Sequence, residues 1–275
     1  MILNPIFYIA KKELMDNIRN TWIIIISIIF ALLTILASYA GSYDKEWQSL
    51  ELTISVMILI VQIVVSIIGL MLGYAAIGGE IERGSMNSLL SFPISRLEII
   101  IGKFLGLGAV LSLTLLIGFG FAGIIISLNI SNANFGGYLL FIGASILNGL
   151  VFLSLSLFYS SFFKTRIKSM GMAIFTWIIF MPILWALITG MILIASVSTE
   201  KLMAGLIPDW YFAINLINPQ SAYSGLVSIN IIELEADTVT SLPSFYNNGV
   251  LLSLILIWII VPLILSYILF KRRDV

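Results

Sequence analysis

Three glycines of the sequence match a nucleotide-binding pattern. Gly118, Gly120 and Gly123 follow G-x-G-x-x-G, which binds a pyrophosphate where a strand turns into a helix. Here the glycines lie inside a long apolar run, which leaves no place for such a turn. We interpret them as positions of close helix packing, a role that small residues take in membranes. The same spacing of small residues recurs at Gly69/Gly73 and Gly102/Gly106.

The residue types that the chain lacks exclude most catalytic chemistry. The chain has no cysteine and no histidine, so disulfides, thiolate metal sites, Ser–His nucleophiles and imidazole proton relays are excluded. The Gly102-Lys103 pair lacks the remaining residues of a phosphate-binding P-loop. Met170 and Met172 carry thioethers that suit Cu(I), but residues two apart on a helix face different directions. We therefore expect no metal site, no cofactor and no enzyme activity in this chain.

Composition identifies the elements that carry these residues. Hydrophobic residues make up 60% of the chain and charged residues 10%, with a mean hydropathy of +1.11. A soluble domain has roughly 25% charged residues, whereas a helix that crosses a bilayer needs about 20 apolar ones. The sequence predicts an all-α, polytopic membrane protein with a single domain over residues 1–275. The six predicted spans lie at about 22–40, 52–77, 104–128, 138–161, 169–196 and 250–270.

The predicted spans contain no acidic or basic residue well inside them. Ion-coupled pumps usually need a buried carboxylate, so proton or sodium coupling is disfavoured. Polar side chains do occur inside the spans, at Gln62, Thr114, Ser145 and Asn148. We expect each of them to bond to a neighbouring helix.

Basic residues predict the orientation, because Lys and Arg near the ends of spans stay on the cytoplasmic side. With a cytoplasmic N-terminus, only Lys45 and Lys201 lie on the outer side. We therefore expect a plasma or inner membrane protein with both termini in the cytoplasm. A net charge of zero disfavours nucleic-acid binding. The residues on the cytoplasmic side are Lys11, Lys12, Arg19, Arg83, Arg96, Lys103, Lys164, Arg166, Lys168, Lys271, Arg272 and Arg273.

Two further segments lie outside the predicted spans. Residues 1–21 have apolar and polar residues on opposite sides of a helix, with Ile9 and Asn17 as exceptions. This pattern predicts an amphipathic helix on the cytoplasmic leaflet. Residues 197–249 form the longest outer connection and combine acidic residues with an apolar, aromatic stretch around Trp210. We expect a short helix at the outer interface or dipping into the bilayer, with an irregular loop packed on the bundle as the alternative.

The connection at residues 78–98 is the most informative. Ser85 can cap a short helix that runs through Leu90, and Pro93 ends it. Its charged residues include Glu80, Glu82, Arg83 and Arg96, and its apolar ones include Leu89, Leu90 and Phe92. A solvated turn would not need exposed leucines beside a phenylalanine. We therefore expect this helix to dock a cytoplasmic protein.

Residues 79–106, GEIERGSMNSLLSFPISRLEIIIGKFLG, carry the pattern E-x-E-R-G-[ST], then L-L-[ST]-x-P, then G-K-F. The stretch resembles permeases of the ATP-binding-cassette type-two family. It is most similar to the branch that contains the membrane subunit of the nitrous-oxide-reductase maturation transporter. The resemblance extends to AKKELMDNIRN near the N-terminus, to LIGFGFAG in the third span and to INPQSAYSGL at 217–226. These motifs indicate the family but not the substrate.

The resemblance implies the permease subunit of an ABC transporter, an exporter, whose ATP and Mg²⁺ bind to a separate cytoplasmic ATPase. Two six-span permeases pair in this family, as a homodimer or with a close paralogue. Movement of the ATPases then tilts the bundles between inward-facing and outward-facing states. The residues that the family motif assigns to ATPase coupling are Glu80, Glu82, Arg83, Leu89, Leu90 and Arg96, with a second contact at Lys164, Arg166 and Lys168.

Two other functions stay open at this point. The chain could transmit force through residues 197–249 to an extracytoplasmic partner, such as a metal-delivery protein. It could also be a secondary carrier, although the missing buried charges and the lack of an evident duplicated half disfavour this.

The predicted orientation can be tested with single cysteines, because the chain has none of its own. Cysteines at Asp44 and Asp237 should react with an impermeant thiol reagent in intact cells. A cysteine at Lys168 should react only after lysis, because the basic flanks hold that connection inside. Labelling of position 168 in intact cells, with 44 and 237 protected, would overturn this orientation.

Overall fold

The computed structural model describes residues 5–40, 50–129, 135–203, 206–231 and 242–273. Within these ranges the regular structure is helical and contains no strand, which confirms the all-α prediction. The first half comprises α1 (Pro5–Ile18), α2 (Thr21–Ala40), α3 (Leu50–Ile60), a π-helix (Val61–Val65), α4 (Ser66–Gly73), α5 (Gly78–Glu82), α6 (Ser85–Leu90) and α7 (Arg96–Asn129). The second half comprises α8 (Phe135–Phe162), α9 (Arg166–Phe180), α10 (Pro182–Ser196), α11 (Thr199–Met203), α12 (Asp209–Asn215), α13 (Pro219–Ile231) and α14 (Asn248–Lys271).

The chain is a multi-pass membrane protein. Among the described residues, four helices are long and apolar enough to cross a bilayer, and the pair α9 and α10, bent by 47°, makes a fifth if it is one span. These helices coincide with five of the predicted spans. The remaining predicted span, at 22–40, coincides with α2. The total of six spans stays a prediction. The four spans are Ile54–Glu82, Arg96–Ile124, Phe135–Phe162 and Asn248–Lys271.

The bundle is organised around α8. Its span is 67% buried, compared with 28% for α14, and it contacts α4, α7, α13 and α14. The outward surfaces of α7, α10 and α14 carry exposed large apolar side chains such as Ile117, Leu187 and Ile264. This arrangement is typical of a membrane bundle, in which lipid rather than water covers the outer apolar surface.

Glycines permit the closest helix contacts, as the sequence predicts. A Cβ built on Gly69 would lie 2.5 Å from the carbonyl oxygen of Gly149, so α4 and α8 touch backbone to backbone. Gly73 packs against the side chain of Ser156, and Gly118 packs against the ring of Phe30. These contacts confirm the packing role of Gly69, Gly73 and Gly118, whereas the same interpretation is wrong for Gly120, whose Cβ position has nothing within 4 Å.

The N-terminal helix α1 packs along α7 instead of lying free. Ile9, an exception to its amphipathic pattern, is only 5% exposed and faces α7. The other side of α1 exposes Phe7, Tyr8 and Ile18. The helix is therefore oriented by its contact with α7, and its position on a bilayer surface stays a prediction.

In the predicted outer connection at 197–249, the described residues form α11, α12 and α13 ahead of the start of α14. Asn218 Nδ2 donates to the carbonyl of Phe180 at 3.2 Å, at the break before Pro182 where no helical partner remains. From there α13 runs between α8 and α14 until Asn230 pairs with Asn248 at the start of α14. Thus α13 is part of the bundle. The acidic residues at 233–237 and the test position Asp44 lie outside the described residues.

Substitution of Gly106 tests the contact between α1 and α7. A Cβ there would lie 2.5 Å from the carbonyl oxygen of Ala10 and 2.7 Å from the Cβ of Glu13. Overpacking of this kind costs about 1–3 kcal/mol, so Gly106→Ala should lower the thermal unfolding midpoint of the purified chain. Gly120→Ala is the matched control, since nothing lies within 4 Å of its Cβ position. Equal midpoints for the two variants would contradict this packing.

Candidate coupling site

Two short helices form a hairpin at the end of the bundle that carries most of the basic residues, which we call the basic end (residues 74–98, 163–168 and 271–273). α5 and α6 meet at Gly84, whose φ of 72° lies in the left-handed region that glycine adopts without strain. The prediction that Ser85 caps α6 is wrong, because Gly84 occupies the cap position. Ser85 Oγ instead donates to the carbonyl of Glu80 at 3.2 Å. The predicted end of the helix at Leu90 is confirmed.

A serine of α8 anchors the start of the hairpin. The Ser160 hydroxyl accepts the backbone N–H of Ile77 at 2.9 Å and that of Gly78 at 3.0 Å. These amides lie where the turn at residues 74–77, which separates α4 from α5, passes into α5. The hairpin therefore begins at a defined point on the central helix.

The leucines of α6 are less exposed than the sequence predicts. Met86 is fully buried in a small core with Ile99 and Phe270, and Leu89 and Leu90 pack half-buried against this core. Phe92, just beyond α6, is 61% exposed. The hairpin therefore rests on an apolar base of its own and presents Phe92 at its surface.

An ion pair joins the two connections that the sequence assigns to one site. Glu82 Oε1 accepts the backbone N–H of Arg166 at 3.0 Å, and Glu82 Oε2 lies 3.6 Å from Arg166 Nε. The carboxylate thus caps the first turn of α9, where the helix dipole favours negative charge. Around this pair, the side chains of Arg83, Lys164 and Lys168 are exposed.

Arg96 interacts with the end of the last helix. Its Nη1 donates to the carbonyls of Phe270, Lys271 (3.1 Å) and Arg273 (2.6 Å), and the guanidinium lies 5.2 Å from the centre of the Phe270 ring. Arg273 donates to the carbonyl of Ser161 at the end of α8, 3.2 Å away. Partial burial lowers the pKa of Arg273, which stays protonated at neutral pH. Both arginines thereby satisfy carbonyls that a helix end leaves unpaired.

A buried lysine connects the hairpin to α1 and α7. Lys103 is 1% exposed, and its Nζ lies 2.6 Å from Glu13 Oε1 on α1 and 2.8 Å from Glu80 Oε1 on α5. Lys12, at the surface, lies 3.5 Å from the same Glu80 oxygen. We call these four residues the Lys103 cluster. Each buried charge has an opposite partner, as low-polarity surroundings require.

A cavity of about 820 Å³ opens beside the cluster. Charged side chains line one part of it, including Lys103, Glu13 and Arg83, and apolar ones such as Ile68 and Leu107 line another. Solutes can therefore approach the otherwise buried Lys103 from this side.

The sequence predicts Lys103 only as a basic residue on the cytoplasmic flank of a span and predicts no function for Glu13. The two lie 90 positions apart, so no local spacing could pair them. The available signal was the Gly102-Lys103-Phe104 motif, where a lysine enters an apolar helix directly after a packing glycine.

The predicted bonds between helices are confirmed for Gln62, Ser145 and Asn148, and that of Thr114 stays a prediction. Gln62 Nε2 donates to the backbone carbonyl of Gln220 at 3.0 Å. The hydroxyls of Ser145 and Tyr223 lie 3.2 Å apart, and Asn148 Nδ2 lies 3.5 Å from Ser66 Oγ.

The described residues contain no group of three or more potential metal-ligating His, Cys, Asp or Glu side chains. Met170 is 44% exposed whereas Met172 packs against the core, so the two thioethers do face different directions.

Removal of the Glu82 carboxylate should loosen the start of α9. A lost cap costs about 1 kcal/mol, so Glu82→Ala should speed deuterium exchange of the first amides of α9 by roughly fivefold. Arg83→Ala, which removes the adjacent exposed side chain, should leave this exchange unchanged. Similar exchange in both variants would show that the Glu82–Arg166 contact has no influence on α9.

Comparison with known proteins agrees with the resemblance in the sequence. Residues 7–275 match the model of the ABC-2 family transporter protein. The chain is 31% identical over 284 residues to the "Probable ABC transporter permease protein NosY" of Stutzerimonas stutzeri, covering 98% of this chain and 99% of that protein. It is also 31% identical to the protein of the same name from Pseudomonas aeruginosa, with the same coverage. The chain therefore belongs to the ABC-2 family and is a membrane permease subunit of an ABC transporter.

Proposed function

We propose that this permease couples ATP hydrolysis on a separate cytoplasmic ATPase to export, by alternating access in a pair of six-span bundles. The observation that supports this most directly is the hairpin of α5 and α6. It projects at the basic end, is anchored on the central helix through Ser160 and presents the exposed Phe92. A partner that docks there would push on the core of the bundle.

The second connection contributes to the same surface. Because Arg166 is paired with Glu82, a partner that contacts the hairpin would also move the start of α9. Arg83, Lys164 and Lys168 surround the contact with positive charge, which would favour an acidic rim on the ATPase. Arg96 takes part indirectly, since it ties the hairpin to the end of α14.

The remaining parts of the proposal follow from the charge pattern and the family. Both termini lie in the cytoplasm of a plasma or inner membrane, because the basic residues collect at one end of the bundle. A second copy or a close paralogue pairs with this chain, as in other members of the family.

One observation favours force transmission to an extracytoplasmic partner as the second candidate function. α13 reaches from the outer end of the bundle to its middle, where the backbone carbonyl of Gln220 accepts from Gln62. Movement of the spans would therefore reach the outer surface directly, and a partner such as a metal-delivery protein could receive it there.

Replacement of Phe92 tests the docking surface. Burying a phenylalanine contributes about 1.5–3 kcal/mol, and a carboxylate in the same contact adds a desolvation penalty. Phe92→Asp should therefore weaken association with the ATPase at least about tenfold, measured by co-purification and binding isotherms. The chain should still fold, because the side chain is already 61% exposed.

The matched control is Leu206→Asp, which changes a residue of 58% exposure near the opposite end of the bundle and should leave association unchanged. ATP hydrolysis should require the partner, so the purified permease alone should show none. A Phe92→Asp chain that binds the ATPase like wild type would remove the hairpin from the interface. Turnover by the isolated permease would overturn the division of labour itself.

A further inference from the structure

We propose that Lys103 is a positioning residue that makes α1, the hairpin and α7 move as one unit when the ATPase pushes on the hairpin. This inference rests on the proposed function. The juxtaposition that supports it is a single buried ammonium that contacts carboxylates from two other elements, Glu13 and Glu80.

The Lys103 cluster bridges the turn that precedes the hairpin. Residues 74–77 form a turn between α4 and α5, and the Ser160 hydroxyl accepts the amides of Ile77, the last residue of the turn, and Gly78, the first residue of α5. A push on α6 reaches α7 through the apolar packing of Met86 against Ile99, and the ion pair adds a charged contact to this apolar one. Glu80 lies beyond the turn, so its bond to Lys103 carries the push past the turn into α7.

The contacts of the Lys103 cluster depend on one another, because each buried charge in it is balanced by an opposite charge. Breaking one contact of Lys103 leaves a carboxylate buried without its partner, which is far more costly than losing an exposed ion pair. Lys12 cannot replace Lys103, because it reaches Glu80 only from the surface, at 3.5 Å. The three elements are therefore held in one relative position.

The packing of α1 supports the same conclusion. Gly102 and Gly106 flank Lys103 on α7, and Cβ atoms there would lie 2.7 Å from the Cβ atoms of Ile9 and Glu13 respectively. The close fit brings the Glu13 carboxylate to the ammonium. α1 thus follows α7, and its exposed Phe7 and Tyr8 move with it.

Chemical rescue separates the charge of Lys103 from its volume. The chain has no cysteine, so the thiol of Lys103→Cys is unique, and the adjacent cavity gives small reagents access. Alkylation with 2-bromoethylamine restores an ammonium on a side chain of lysine length. Alkylation with 2-bromoethanol gives a neutral side chain of the same length. Both derivatives come from one folded preparation, which is then combined with the partner ATPase.

The readouts are ATPase association and the ATP-dependent change in deuterium exchange of residues 206–231, at the far side of the bundle. We expect both derivatives to bind the ATPase. The ammonium derivative should respond to ATP like wild type. The response of the neutral derivative should be smaller by a factor of at least about ten.

Equal ATP responses of the two derivatives would overturn the role of the charge. Loss of ATPase binding in the neutral derivative alone would also overturn it, because Lys103 would then only maintain the docking surface. If wild type itself binds no ATPase, the proposed function fails, and this inference fails with it.

Discussion

Close approach of helix backbones at glycines is the constraint on which the rest of this structure depends. Lipid chains are as apolar as the helix surfaces, so the helices gain little by hiding from solvent and associate by fitting closely. α4 meets α8 at Gly69 and Gly149, and α1 meets α7 at Gly102 and Gly106. The first contact places the hairpin of α5 and α6 at the end of the central helix. The second brings the carboxylate of Glu13 to Lys103, so the electrostatic connection exists only because the backbones touch.

Much of the fold could be predicted because a bilayer imposes long apolar runs. The positions of five spans, the packing role of Gly69 and Gly73, and the helix that ends at Leu90 all follow from local patterns. Local patterns could not show that Ile9 faces α7 or that α13 enters the bundle. Both results depend on tertiary contacts, since Ile9 breaks the amphipathic pattern and α13 is too short to span by itself.

Only part of the candidate site could be predicted, because some of its contacts also depend on tertiary structure. The family motif names Glu82 and Arg166, and the structure brings them together across 84 positions. It places Arg96 on the end of α14 and leaves Arg83, Lys164 and Lys168 exposed. Lys103 and Glu13 escaped detection because hydropathy treats a lysine at the end of a span as an anchor in the headgroup region. Only the three-dimensional arrangement shows that this lysine points inward.

The π-helix at Val61–Val65 has an evolutionary consequence. Within it, Gln62 bonds to α13, and the carbonyl of Ile63 accepts from Trp177 Nε1 at 3.3 Å as well as from the backbone N–H of Ser66. A π-helical turn holds one more residue than the α-helical turn that it replaces. Deletion of one residue in this turn would therefore restore a regular helix without changing which way the residues beyond it face, whereas a deletion in the regular helix α4 would rotate everything beyond it by roughly 100°. Gly69, Gly73 and the hairpin would still face α8 after a one-residue deletion at Val61–Val65, so this turn is a place inside a span where natural sequence length can vary.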